Sequence, residues 1–128
     1  MRYDEPQLCA GLVDFSEPTL LIIGDASAFT ELANHILKRQ EVHLPKSNCI
    51  DIALSIVPTE SPSRLQRTGN EFILNISATD AAMFADLIAG LVNSHAPAHT
   101  YLDFPGEIAV MISKGEYDPK KVFSGDTV

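Results

Sequence analysis

Apolar positions along this chain fall into two runs with the same internal spacing. Phe29, Leu32, Ala33, Ile36 and Leu37 step at i, i+3, i+4, i+7 and i+8, the single stripe of an amphipathic helix. Phe84, Leu87, Ile88, Leu91 and Val92 repeat those steps 55 positions later (84 − 29 = 55). Downstream, Ile52, Leu54 and Ile56 recur as Ile108, Val110 and Ile112, 56 positions later. Upstream, Leu12, Leu20, Leu21 and Ile23 recur as Leu65, Ile73, Leu74 and Ile76, 53 positions later. Two copies of a half-built unit are expected to complete each other's core.

Each copy reads as strand, strand, helix, strand, strand. In the first, Leu8 to Phe15 and Thr19 to Ile23 are strands around the turn signal Ser16-Glu17-Pro18. Asp25 or Ser27 caps a helix through Leu37, and Lys38 and Arg39 suit its negative end. A weak third strand precedes Pro45. Asn48 to Val57 alternates apolar and polar, the mark of a strand with one buried face. In the second copy, Arg64 to Arg67 and Glu71 to Ile76 flank the hairpin turn Thr68-Gly69-Asn70. Ser77 or Thr79 caps the second helix, and His99 to Phe104 and Glu107 to Ser113 are the last strands. The offset slips at the Gly24 loop, where the second copy has two extra residues.

The pattern predicts a single α+β domain over 1–128, with pseudo-repeats at 8–57 and 64–113 and an irregular tail at 114–128. The strands are expected in one antiparallel sheet, or two sharing an edge, with both helices on one face. Tyr117, Val122 and Phe123 are the tail residues able to order it.

Apolar residues make up 45% of the chain, enough for a core. Its longest dense apolar run, Thr19 to Gly24, is far short of the ~20 residues that span a bilayer. The start, Met1 to Pro6, is acidic and polar where a secretory signal is basic and then apolar. A cytoplasmic protein is therefore expected, with Cys9 and Cys49 both reduced. Net charge is −8, and the seventeen acids are spread evenly, nine in 1–60 and eight in 61–128. That field disfavours nucleic acid and anionic membranes, and steers cationic surfaces toward the protein.

Candidate chemistry is sparse. His99, Tyr101 and Asp103 alternate with Thr100, Leu102 and Phe104, so a strand would put them on one face, ~6.5–7 Å apart. An imidazole, a phenol and a carboxylate together can supply acid, base and orienting group. The competing reading is an ordinary solvent face opposite a buried one. His43, 56 before His99 (99 − 43 = 56), has Pro45 and Ser47 at the matching positions, so no triad is expected there. His95 and His99 have zinc spacing on a helix, but Pro97 breaks any helix between them, so no metal is expected. Gly24 before a helix lacks the further glycines of a phosphate-binding loop. No cofactor is expected.

Thr19 to Leu37, a short strand leading through Gly-Asp into an amphipathic helix, is followed later by His99 to Asp103 and Ile108 to Lys114. That succession resembles small bacterial immunity proteins, which neutralise toxins of polymorphic secretion systems and are often acidic α+β domains. The resemblance implies a bacterial, non-catalytic binder of a toxin domain. The sequence thus reads as a protein–protein interaction module whose open sheet edges suit a partner or a homodimer. The alternative is a small enzyme or ligand-binding domain using His99, Tyr101 and Asp103.

Overall fold

The computed structural model describes residues 8–44, 52–118 and 122–123. It is an α+β fold of two helices and two four-stranded sheets. In chain order the elements are β1 (Leu8–Asp14), β2 (Pro18–Gly24), α1 (Ala26–Leu37), β3 (Val42–Leu44), β4 (Ala53–Thr59), β5 (Arg64–Thr68), β6 (Glu71–Ser77), α2 (Ala78–Val92), β7 (Ala98–Leu102) and β8 (Ala109–Lys114). The part of the expected strand at 48–51 lies outside the described residues.

The chain ends build one sheet, β1-β2-β8-β7, and the middle of the chain builds the other, β3-β4-β6-β5. We call them the terminal and middle sheets. Each is mixed, which corrects the expected antiparallel arrangement. The hairpins pair antiparallel, but the central strands β2 and β8, and β4 and β6, run parallel. A central strand covered on both sides needs no alternation, and the uninterrupted apolar run Leu20 to Ile23 fits such a position. Exchanging β1–β4 with β5–β8 turns the order β1-β2-β8-β7 into β5-β6-β4-β3, the middle sheet read backwards. The two sheets therefore share one connectivity.

Residue correspondence differs from the sequence spacing in two places. Val110 pairs with Leu20, and Leu54, its counterpart 56 earlier (110 − 54 = 56), pairs with Phe72. Leu20 thus matches Phe72, an offset of 52 (72 − 20 = 52), one less than the apolar pattern suggested. In a strand one position reverses the face, and Leu20 and Phe72 both point into the core while Ile73 does not. The helices begin at the same offset, with Asp25 and Ser77 as caps (77 − 25 = 52). Phe84 nevertheless follows Phe29 by 55 because α2 is three residues longer, 15 against 12. Three residues are close to one turn, so the apolar stripe keeps its face.

The helices pack on each other. Their buried residues join the inward faces of both sheets in one core, with Phe29, Phe72 and Phe84 at its centre. Leu37 and Leu87, though in the apolar stripes, are exposed. Arg39 does more than complement the helix end. It adopts a left-handed backbone with φ 58°. Its guanidinium donates to the carbonyls of Ile76 (2.7 Å) and Thr59 (2.8 Å), tying α1 to the last residues of β4 and β6.

The outward faces of the sheets differ. On the terminal sheet, Cys9, Leu21, Ile23 and Met111 form a second apolar cluster, covered by Tyr117, Val122 and Phe123 from the tail. Gly11 makes this cover fit: a Cβ there would lie 2.5 Å from the Phe123 ring. Tyr117 stacks on Phe15 at 5.5 Å between ring centroids. On the middle sheet, Ala53, Ser55, Val57 and Ile73 stay partly exposed, and no second cluster forms among the described residues. Cys9 is disulfide-bonded, against the expectation of a reduced thiol. Disulfides persist in oxidising compartments, so its redox state in the cell bears directly on location. Among the described residues no helix is long and apolar enough to cross a membrane.

Candidate functional site

His99 and Tyr101 lie on β7, an edge strand of the terminal sheet; Asp103 follows its last residue. All three are exposed, while Leu102 and Phe104 are buried, as alternation predicts. The His99 and Tyr101 rings meet edge to face at 5.7 Å. The geometry brings His99 together with groups the sequence did not single out. Its Nδ1 donates to the carboxylate of Glu116, 2.9 Å from Oε2. Ser113, opposite His99 in the ladder and fully buried, donates its hydroxyl to Oε1 of the same carboxylate at 2.7 Å.

Glu116 is therefore the centre of this cluster. Burial pushes its carboxyl up, but the hydrogen bonds from His99 and Ser113 and the charge of His99 outweigh that and hold it below the ordinary range. Tyr117 is shifted the other way: burial, then Glu116, then Tyr101 raise its phenol. A serine whose proton is held by a carboxylate, and which solvent cannot reach, is not a nucleophile. The arrangement fastens the tail to the terminal sheet.

A second cluster stands on the middle sheet, where no triad was expected. His43 on β3 lies opposite Ser55 on β4. Its Nδ1 is 2.9 Å from Ser55 Oγ, and its Nε2 is 2.9 Å from Oε1 of Glu41. An ionised carboxylate only accepts, so Nε2–H donates to Glu41. A neutral imidazole then presents the Nδ1 lone pair to the Ser55 hydroxyl, which donates to it. Here histidine, not glutamate, is central. Pro45 and Ser47, the positions matched to Tyr101 and Asp103 by spacing, lie outside the described residues. Ser55 and Ser113 were invisible to local spacing because each meets its histidine across a ladder, and Glu116 reaches His99 from beyond the end of β8; Glu41 lies only two residues before His43. The available signals were a serine within each apolar strand and the glutamate two residues before His43.

A cleft of about 570 Å³ opens at the carboxyl ends of the parallel pair β2 and β8, lined among others by Cys9, Asp25, His95, Pro97 and Lys114. His95 faces this cleft and not the His99 cluster. Its charged groups serve the helices. Asp25 accepts from the Ala28 amide at 2.7 Å, and Lys114 donates to the carbonyls of Val92, the last residue of α2, and of Ser94 just beyond it. No group of histidine, cysteine and carboxylate side chains suited to a metal occurs among the described residues.

The outward side of α2 differs from that of α1. Ala82, Met83, Leu87, Ala89 and Gly90 are exposed there, with Asp86 as the charge among them. The exposed positions of α1 are mostly polar, among them Ser27, Thr30, Glu31 and Asn34. A surface helix normally carries polar residues opposite its core stripe. The chain matches no protein-family model, and comparison with curated proteins and with solved structures gives no match.

Proposed function

We propose that the protein is a non-catalytic protein–protein interaction module, of the kind represented by bacterial immunity proteins. The outward face of α2 carries this reading. Met83 is 46% and Leu87 37% exposed, flanked by small residues that let another surface approach closely. An apolar centre ringed by polar surface is the form of a contact site. Asp86 and the overall charge of −8 favour a partner with cationic residues around an apolar knob. A homodimer through this face would set Asp86 against a second acidic helix, so the open edges of the sheets are its better route.

A photocrosslinking residue placed at 83 or 87, in cells that make the protein, tests the reading. The expected result is one discrete heterologous adduct, identified by mass spectrometry, that is absent when the same residue replaces Thr68 on β5. Adducts only with the chain itself, or equal adducts at all three positions, overturn it.

A further inference from the structure

From the middle-sheet cluster we infer that Ser55 is an activated nucleophile, placed to accept an acyl group from an activated ester or thioester. This goes beyond the interaction reading and does not depend on it. Three observations converge. The Ser55 hydroxyl lies 2.9 Å from His43 Nδ1, and with the ring neutral it donates to that nitrogen. The far nitrogen of that ring is held by Glu41 at 2.9 Å, which fixes the tautomer with a free lone pair toward serine. Both helpers are open to solvent, His43 59% and Glu41 57% exposed, and Ser55 is itself partly exposed, so an acyl donor can reach the hydroxyl. This is the order of groups that activates a hydroxyl: nucleophile, base, then an orienting carboxylate.

The step balances with the groups present. Ser55 Oγ attacks the acyl carbon while its proton passes to His43 Nδ1. The new Oγ–C bond forms, the C–O or C–S bond to the leaving group breaks, and His43 returns the proton to the departing alcohol or thiol. Glu41 stabilises the transient imidazolium and never takes the proton. The backbone around Ser55 limits the reaction. Ser55 sits in a central strand, paired with His43 on one side and Ile73 on the other. The amides of β4 belong to these ladders, so they are not preorganised donors for a tetrahedral oxyanion. Acylation therefore needs a good leaving group, and it stops at the acylated serine instead of turning over.

The terminal sheet holds the built-in control. Ser113 also lies opposite a histidine, but its proton goes to Glu116 and it is fully buried. It should stay unmodified.

The test uses the full chain and p-nitrophenyl acetate, with nitrophenolate release and peptide mass mapping as readouts. The expected result is a burst of one equivalent, with one acetyl group on the peptide carrying Ser55 and none on that carrying Ser113. His43→Gln should slow labelling of Ser55 on the order of a hundredfold. Glu41→Ala should slow it about two- to fivefold, the scale of an exposed charge pair. It should also move the His43 ring away from a single Nε2–H tautomer, seen in the ring nitrogen chemical shifts. Circular dichroism of each variant checks that the fold is kept. An unlabelled Ser55, or labelling at an equal rate in folded His43→Gln, overturns the proposal. Release that continues past one equivalent overturns the claim that the reaction stops at the acylated serine.

Discussion

The terminal and middle sheets share one connectivity, and each sets a histidine opposite a serine across an antiparallel pair. They differ in what lies over the outward face. On the terminal sheet the tail crosses the strands and inserts Glu116 beside both groups, so the carboxylate collects both protons and the serine is inert. On the middle sheet the carboxylate comes from Glu41, just before β3, and reaches only the far side of the ring. The same residue types thus make a fastening in one place and a proton relay in the other. Chemistry here follows from the route of the chain over the sheet more than from composition.

Breaking the shared core comes first, because it should hurt both sheets alike. Phe29→Ala and Phe84→Ala should each cost about 3–5 kcal/mol by denaturant unfolding, since both rings are fully buried in one cluster. A large inequality between them would mean that the two halves are not equivalent supports. Reduction of the Cys9 disulfide should cost about 2–4 kcal/mol, read as a lowered unfolding midpoint in dithiothreitol.

The outward faces are separated by a smaller pair of changes. Gly11→Ala must displace the Phe123 ring and should cost about 1–3 kcal/mol, the scale of overpacking. Ala53→Val on the partly exposed middle face should change stability by no more than about 0.5 kcal/mol. Equal effects would remove the distinction between a covered and an open sheet.

Acid titration isolates the fastening. The Glu116 carboxyl is lower in the folded protein than its ordinary 4.5, so the unfolded chain binds more protons between those two values. Its stabilisation is fully present above the unfolded value and is lost as pH falls through the folded one. Glu116→Gln should remove that part of the acid dependence, measured as the difference in unfolding midpoint between pH 7 and pH 3. Smallest of all, Leu87→Glu on the open side of α2 should leave stability within about 0.5 kcal/mol, as thermal unfolding would show.

Local periodicity was enough to place most elements. The helix stripes, the caps at Asp25 and Ser77, and the alternation about Leu102 and Phe104 all follow from neighbours close in sequence. The parallel pairing of β2 with β8 did not, because Leu20 to Ile23 is apolar at every position and carries no face. That same run produced the one-residue slip in matching β2 to β6. Nor were the clusters legible. Ser55 is twelve residues from His43, and Ser113 is fourteen from His99, and only the ladder register brings them face to face.

The route of the chain also orders its assembly. All four strands of the middle sheet lie between Val42 and Ser77, and its parallel pair joins Ala53 to Glu71. The terminal sheet joins Thr19 to Ala109, a closure across ninety residues (109 − 19 = 90). Closing longer loops costs more chain entropy, and distant contacts form late. The middle sheet should therefore gain amide protection first in pulse-labelled hydrogen exchange during refolding. Protection of β1 and β2 before β4 and β6 would refute that order. On the ribosome, the hairpin β1–β2 must wait with its apolar edge unpaired until β8 emerges, and that interval is when the nascent chain is most exposed to aggregation.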